Sequence, residues 1–244
     1  MSNLSIIIPT LNEANYLSKT LRCLKLLEPL AQEIIIVDGG SQDATVSIAR
    51  NYGISPLISS ESGRAIQMNQ GAKAATGELL CFLHADTLVP LDLVALIQMT
   101  LADPQVVCGG FISLMTGEKS TCWGVSLHNY LKTYYAPLLF HPYLFLFKGL
   151  RILFGDQVMF CRQKEFWQCG GFNTNLPIME DADLCLKFVQ QGRIRLLNRV
   201  VQSSDRRVAK LGRLKANLIY IWVGFLWGLG VPATFLKQFY ADIR

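Results

Sequence analysis

Charge is what this sequence has least of. Only 17% of its residues are Asp, Glu, Lys or Arg, and 23 basic against 18 acidic side chains leave a net charge of +5 at pH 7. No long run of Lys and Arg occurs, nor any basic–aromatic repeat, which argues against a nucleic-acid-binding surface. The seven cysteines include no C-x-x-C pair, so the paired spacing of a zinc site is missing; Leu80-Cys81-Phe82 is typical of their apolar settings and reads as a buried, reduced thiol of a cytosolic protein. No G-x-G-x-x-G follows the first strand pattern, which sets a dehydrogenase aside. Internal repeats and low-complexity tracts are absent. The apolar run after Met1 is too short for a signal-peptide core, so the active part is expected in the cytoplasm.

What is present is core material. With 51% apolar residues in 244, the chain suits one large α/β domain, or one domain with a C-terminal appendage. Strand patterns at 4–8, 34–37, 55–58, 79–83 and 106–112 alternate with helical patterns at 16–27, 41–51, 65–75 and 91–101. That alternation predicts βαβ units and a mostly parallel sheet covered on both faces, with ligands beyond the carboxyl ends of the strands. The segments to watch are therefore 9–13, 38–43 and 84–86, each polar or acidic. The second half is less regular: an aromatic-rich stretch at 134–147, a strand pattern at 158–161, an acidic cluster opening a helix that stops at Gly192, and a strand pattern at 193–198.

Several residues stand out as candidates. Asp38, followed by Gly39-Gly40, can accept hydrogen bonds from a base or ribose while the glycines admit close approach; alternatively Ser41 or Asp43 simply caps the next helix. Asp86 follows a buried strand and offers the oxygen that Mg²⁺ or Mn²⁺ prefers, unless it caps the helix beginning near residue 91. His84 beside it suits a sugar-facing or supporting role, or a satisfied core histidine. Glu180, Asp181 and Asp183 crowd three carboxylates into four residues; such a group raises a carboxyl pKa toward that of a general base, or merely complements a helix N-terminus. Arg64, at a helix start after Gly63, fits a phosphate or the site carboxylates. Gly155-Asp156-Gln157 lines an acceptor site or forms a plain turn.

Taken in order, Ile6-Ile7-Ile8-Pro9-Thr10-Leu11-Asn12-Glu13, Ile36-Val37-Asp38-Gly39-Gly40-Ser41-Gln42-Asp43, His84-Ala85-Asp86 and Glu180-Asp181-Ala182-Asp183 resemble the family 2 glycosyltransferases over roughly residues 4–200. The resemblance implies a GT-A (Rossmann-like) fold and inverting transfer of one sugar from a UDP- or GDP-sugar, assisted by Mg²⁺ or Mn²⁺. It implies that Pro9, Thr10 and Glu13 line the nucleotide pocket, that Asp38 binds base or ribose, and that Asp181 is the catalytic base. Asp86 matches the last acid of the family's D-x-D, but His84 stands where the first acid would be, so donor diphosphate would complete the metal site. The segments around Gly63-Arg64 and 155–157 look like a bacterial subgroup associated with arsenosugar or carotenoid glycosylation. The Q-x-x-R-W motif of the processive synthases is missing. The alternatives are a nucleotidyltransferase, though no Gly-rich basic loop follows the first strand, and a non-catalytic nucleotide-binding or membrane scaffold.

We divide the chain into a catalytic part, 1–205, and a basic, apolar appendage, 206–244. Residues 216–236 carry no charge and follow Arg206, Arg207, Lys210, Arg213 and Lys215. Gly and Pro interruptions favour two short helices, 211–229 and 232–243, forming a peripheral membrane or homodimer surface; buried core helices and a true span are the other readings. With 134–147 this stretch predicts an apolar site for a lipid-like or small-molecule acceptor.

Overall fold

The computed structural model describes residues 3–61, 63–117 and 121–239. The chain opens with strand β1 (Leu4–Thr10), helix α1 (Ala14–Leu24), β2 (Glu33–Asp38), α2 (Thr45–Asn51), β3 (Leu57–Ile58), α3 (Arg64–Ala74) and β4 (Leu79–Phe82). Next come β5 (Thr87–Leu88), α4 (Leu93–Leu101), β6 (Val106–Thr116), α5 (Trp123–Phe140), α6 (Pro142–Phe147), a 3₁₀ turn (Gly155–Gln157), β7 (Phe160–Arg162) and α7 (Gln163–Gln168). Helix α8 (Glu180–Phe188), β8 (Arg193–Ser204) and helices α9 (Arg206–Leu211), α10 (Arg213–Gly228) and α11 (Ala233–Leu236) follow.

The strands form one sheet in the order β3-β2-β1-β4-β7-β6-β8-β5. The pairs β3/β2, β2/β1, β1/β4 and β6/β8 are parallel, while β7 runs antiparallel to both β4 and β6, and β5 antiparallel to β8. The mostly parallel sheet expected from the βαβ pattern is thus present, with one reversed strand at its middle.

Strand alternation explains the two cores. Ile6 and Ile8 face the core built with Leu17 and Leu21 of α1 and Leu93 and Ile97 of α4, whereas Ile7 faces Met68 of α3 and Phe188 of α8. Helix α3 sits close because Gly71 meets Ile7: a Cβ there would lie 2.4 Å from Ile7 Cγ2. Five cysteines (Cys81, Cys108, Cys122, Cys161 and Cys185) are buried, and burial pushes the thiols of Cys81, Cys108, Cys161 and Cys185 up, as expected for inert core residues.

Three elements differ from the sequence expectation. Strand β8 runs on to Ser204, because the polar Asn198-Arg199 pair that ends its pattern bulges out where the register with β6 slips between Phe111 and Ile112. Helix α5 begins at Trp123, eleven residues before the aromatic-rich stretch, and carries Pro137 within it. The first expected C-terminal helix, 211–229, appears as α10, and an unexpected short helix, α9, precedes it, separated at Gly212, whose φ is +86°. The second appears as α11 and a short 3₁₀ turn; its residues 240–243, and the side chains of Arg207 and Arg213, lie outside the described residues. Helix α10 packs against α5 through Phe140 and Phe225 and through His128 and Asn217. Among the described residues, no helix is long and apolar enough to cross a membrane.

Candidate active site

The segments after β1, β2 and β4 gather at the carboxyl edge of the sheet, where α3 and α8 also begin. The Asp38 carboxylate is buried and internally closed: Oδ1 accepts from Thr10 Oγ1 (3.0 Å) and Ser41 Oγ (2.6 Å), and Oδ2 from the N–H groups of Gly40 (3.0 Å) and Ser41 (2.8 Å). Gln67 of α3 donates from Nε2 to the carbonyls of Thr10 (2.7 Å) and Val37 (2.8 Å), tying the ends of β1 and β2 together. Asp43, not Ser41, takes the capping work: its Oδ2 accepts the Ala14 N–H at 3.0 Å and its Oδ1 the Thr45 N–H at 2.9 Å.

Glu13 and Asp86 meet a cation from far along the chain. Arg206, at the start of α9, grips Glu13 with both ends of its guanidinium, Nη1 to Oε2 at 2.8 Å and Nη2 to Oε1 at 2.7 Å. The same Nη2 lies 3.3 Å from Asp86 Oδ2. Burial works against the Arg206 charge, but Glu13 and Asp86 outweigh it and raise its pKa. Asp86 therefore faces Arg206 rather than capping α4, which begins at Leu93.

The acidic cluster opens α8 and is buried there. Arg64 Nε donates to Glu180 Oε1 at 2.6 Å, and its Nη1 is 3.4 Å from His84 Nε2. Asp181 is 5% exposed; its Oδ2 accepts the Gly155 N–H at 2.9 Å, while its buried Oδ1 has no hydrogen-bond partner among the described residues. Burial, then repulsion from Glu180, pushes the Asp181 carboxyl up to about 7, against the opposing pull of Arg64 and the Gly155 N–H. Two side chains with left-handed backbone flank this arrangement, Met179 (φ +66°) before the cluster and Val158 (φ +52°) after the 3₁₀ turn. Such strain in a non-glycine residue persists only where the surroundings enforce it, and it concentrates at functional sites.

Two cavities meet here. One, of about 500 Å³, is lined by Pro9, Thr10, Glu13, Gln67 and Glu180. The other, of about 200 Å³, is lined by Asp86, Asp156, Asp181, Lys132 and Tyr220. Arg64, His84, Ile178 and Arg206 line both, so the cavities form two ends of one cleft. Of the residues singled out from sequence, the structure brings Pro9, Thr10, Glu13, Arg64, His84, Asp86, Asp156, Glu180 and Asp181 onto this cleft. Asp38 and Gln157 do not line it: Asp38 lies beneath the loop it anchors, and Gln157 is spent on the Phe154 N–H (3.0 Å) and the Thr133 hydroxyl (3.1 Å). Arg206, Lys132 and Asn129 reach the cleft without having been singled out as site residues.

Among the described residues, no group of three or more His, Cys, Asp or Glu side chains is placed to hold a metal ion. Asp86 with His84 offers one hard oxygen donor and one imidazole nitrogen, a partial set that suits Mn²⁺ or Mg²⁺ once further oxygen ligands arrive with a substrate.

The family model for glycosyl transferase family 2 matches residues 5–167, more than half of the chain, and the chain belongs to that family. A pre-mycofactocin glycosyltransferase of Mycobacterium tuberculosis is 26% identical over 198 residues; the match covers 78% of this chain but only 40% of the relative, so the chain spans well under half of that protein's length. Among solved structures, the Pyrobaculum calidifontis mannosyltransferase PcManGT in complex with GDP-Man and Mn²⁺ superposes with a TM-score of 0.68 at 21% identity, covering 94% of this chain and 64% of that one. The glucosyl-3-phosphoglycerate synthase of M. tuberculosis in complex with Mn²⁺, UDP and phosphoglyceric acid superposes with a TM-score of 0.60 at 18% identity, covering 94% and 79%. The fold is GT-A.

Proposed function

We propose that this chain transfers one sugar from a nucleoside-diphosphate sugar to an acceptor hydroxyl with inversion, using Asp181 as general base. The observation that carries this reading is the placement of Asp181 on the smaller cavity, nearly buried, with a pKa pushed to about 7, beside the arginines and His84 that join the two cavities. The complexes of the two structural neighbours with GDP-Man or UDP and Mn²⁺ support a nucleotide-sugar donor and a divalent cation.

The donor occupies the larger cavity, with its nucleotide against Pro9, Thr10 and Glu13. Asp38 acts through the 38–41 loop that it holds rigid. Arg64 and Arg206, at the junction, face the diphosphate. Asp86 and His84 are the residues that would hold Mg²⁺ or Mn²⁺, which when bound would supply positive charge against the diphosphate leaving group. The acceptor lies in the smaller cavity. Asp181 takes its hydroxyl proton, the oxygen bonds to the anomeric carbon, and the bond from that carbon to the diphosphate oxygen breaks with its electron pair. Glu180 holds Arg64 in place, and the Gly155 N–H orients Asp181. Asp156, bonded to Asn129, walls the acceptor side.

The acceptor end opens beside an apolar surface. Trp123, Leu127 and Leu131 on α5 and Leu214, Leu218, Trp222 and Phe225 on α10 are exposed. Neither 121–155 nor 206–239 contains a single Asp or Glu, while Lys148, Lys210 and Lys215 are exposed there. An apolar face rimmed only by positive charge fits an anionic lipid surface, so we read the 206–244 appendage as a peripheral membrane contact serving a lipid-like acceptor.

The test is a transfer and donor-hydrolysis screen across UDP-, GDP- and dTDP-sugars with Mg²⁺ or Mn²⁺. The expectation is metal-dependent turnover of at least one donor, lost in Asp86→Ala, and transfer lost in Asp181→Ala with nucleotide binding retained. No turnover of any donor, and no heat with UDP or GDP plus Mn²⁺, would favour a binding scaffold. Sedimentation with phosphatidylglycerol vesicles tests the surface: a dimer that ignores vesicles assigns the face to self-association instead.

A further inference from the structure

The acceptor end of the cleft holds a cation that the reaction as described does not use. Lys132 lies in α5, 9% exposed, and lines the smaller cavity. An ammonium has three N–H donors and is costly to bury unless they are answered. Among the described residues it donates only to Asn129 Oδ1, at a long 3.3 Å. Its other close neighbour is the face of Phe154, whose ring centre is 3.6 Å from Nζ, with the Tyr220 ring at 6.0 Å. These rings supply partial negative charge but no lone pair. The acid whose charge acts on it, Asp156, accepts from Asn129 Nδ2 at 3.0 Å through Oδ2, and among the described residues the two do not come within salt-bridge distance. Burial pulls the Lys132 pKa down to about 8, with Asp156 only partly resisting.

The surroundings define what would complete this cation. Met115, Ile178 and Val223 give the cavity apolar walls, and Asp181 marks the place where a hydroxyl is activated. Asn129, Asp156, Ser203 and Ser204 add hydrogen-bonding groups between those apolar patches, but Lys132 is the cationic group set back from the Arg64–Arg206 junction. A molecule with a hydroxyl at one end and an acidic group at the other would satisfy both Asp181 and Lys132.

We propose that Lys132, positioned by Asn129 and Phe154, is the anion-recognition subsite of the acceptor, and that the acceptor is an alcohol or phenol carrying a carboxylate or phosphate group. The inference rests on the reading of the smaller cavity as the acceptor half. It names the acceptor's charge, which that reading leaves open. Lys132 touches the acceptor away from the reacting oxygen, so its role is recognition, not proton transfer.

The experiment measures binding, so that it does not depend on turnover. The full chain is titrated calorimetrically with matched pairs: hydroxyphenylacetate against hydroxyphenylacetamide for the carboxylate arm, and glycerol phosphate and a lysophosphatidic acid against glycerol and a monoacylglycerol for the phosphate arm. At least one acidic probe is expected to bind about 10- to 100-fold more tightly than its neutral partner, the range a charge-assisted hydrogen bond supplies. The preferred arm identifies a small acid or a lipid headgroup as the source. Lys132→Met should abolish the preference and Lys132→Arg should keep part of it. Equal affinities in the wild type, no binding by any probe at millimolar concentration, or a preference that survives in Lys132→Met overturns the subsite. The wild-type comparison stands even if Lys132→Met fails to fold. Donor turnover is scored separately: a chain that hydrolyses no donor yet prefers acids loses the transferase reading alone, and a chain that transfers sugar without preference loses the subsite alone.

Discussion

The two ends of the cleft are built on opposite principles. At the donor end the carboxylates around the loops after β1 and β2 are closed by named partners: Asp38 by Thr10, Gly40 and Ser41, Asp43 by Ala14 and Thr45, Glu13 by Arg206; Glu180, held by Arg64 through Oε1 alone, is the exception. At the acceptor end a buried carboxylate oxygen of Asp181 and a buried ammonium of Lys132 are under-satisfied, and the helices around them leave large apolar side chains exposed. A closed hydrogen-bond network gives a fixed shape for a ligand whose chemistry is common to many enzymes. A loosely satisfied apolar cavity holds reactive groups at unusual pKa and fits a particular acceptor.

The sharpest way to break this contrast is to remove the base. Asp181→Asn should lower kcat for transfer by about 10³-fold, within the span usual for general-base loss, while KM for the donor changes little. Steady-state kinetics with the best donor from the screen checks it. Loss of donor affinity of similar size would show that the two ends are one charge network, and the contrast would collapse.

A smaller effect is expected at the joint. Arg206 belongs by sequence to the appendage but closes the donor end, so Arg206→Met should raise the donor KM about 10- to 100-fold, the cost of removing a charge-assisted bidentate contact. Gly155→Ala probes the other side of the joint: its Cβ would fall 2.3 Å from His84 Nε2 and 3.2 Å from Asp181 Oδ2, so kcat should fall roughly 10-fold as the base is displaced, and displacement of His84 should also raise the metal concentration needed for turnover. If Arg206→Met leaves the donor KM unchanged, the 206–244 segment acts only on the acceptor side.

The donor end was legible in sequence because its parts are local. A β-branched run followed by Asp-Gly-Gly, or by His-Ala-Asp, marks a strand and the loop that leaves it, and a sheet of parallel strands puts such loops on one rim. The sequence could not show that Asp38 would be consumed by its own loop, since that depends on Thr10 from another strand. The acceptor end is assembled from α5, the 3₁₀ turn, α8 and α10, whose periodicities say nothing about which faces converge. One signal was nonetheless present. Lys132 is the only Lys, Arg, Asp or Glu in the 18 residues of α5. Arg206 lies two residues beyond the end of β8, but the strand pattern in the sequence stops at 198 and the basic neighbours made Arg206 read as part of a membrane-facing flank.

The smallest effect concerns stability, and its sign differs between the two ends. The Asp181 pKa is raised from an ordinary 3.8 to about 7, so the folded chain keeps a proton that the unfolded chain releases between those values. That contribution is fully present below pH 3.8 and is lost as the pH rises through about 7. Asp181→Asn, neutral at every pH, should therefore melt higher than the wild type at pH 8 by roughly 5 °C, on the order of 2 kcal/mol, with the difference shrinking to about a third of that at pH 5 and vanishing below pH 3.8. At the donor end Asp43 behaves in the opposite sense. Its slight burial raises the pKa, but hydrogen bonds from Thr45 and Ala14 outweigh this and lower it, so its contribution is present above pH 3.8 and is lost as the pH falls below that. Asp43→Asn should accordingly lower Tm at pH 8, by less than the Asp181 gain because the group is exposed to solvent. Thermal melts of both variants at pH 5 and pH 8 decide it. Shifts of the same sign in the two variants at pH 8 would mean that the acceptor end, like the donor end, is built to hold its carboxylate ionised, and Asp181 would no longer be poised to take a proton near neutrality.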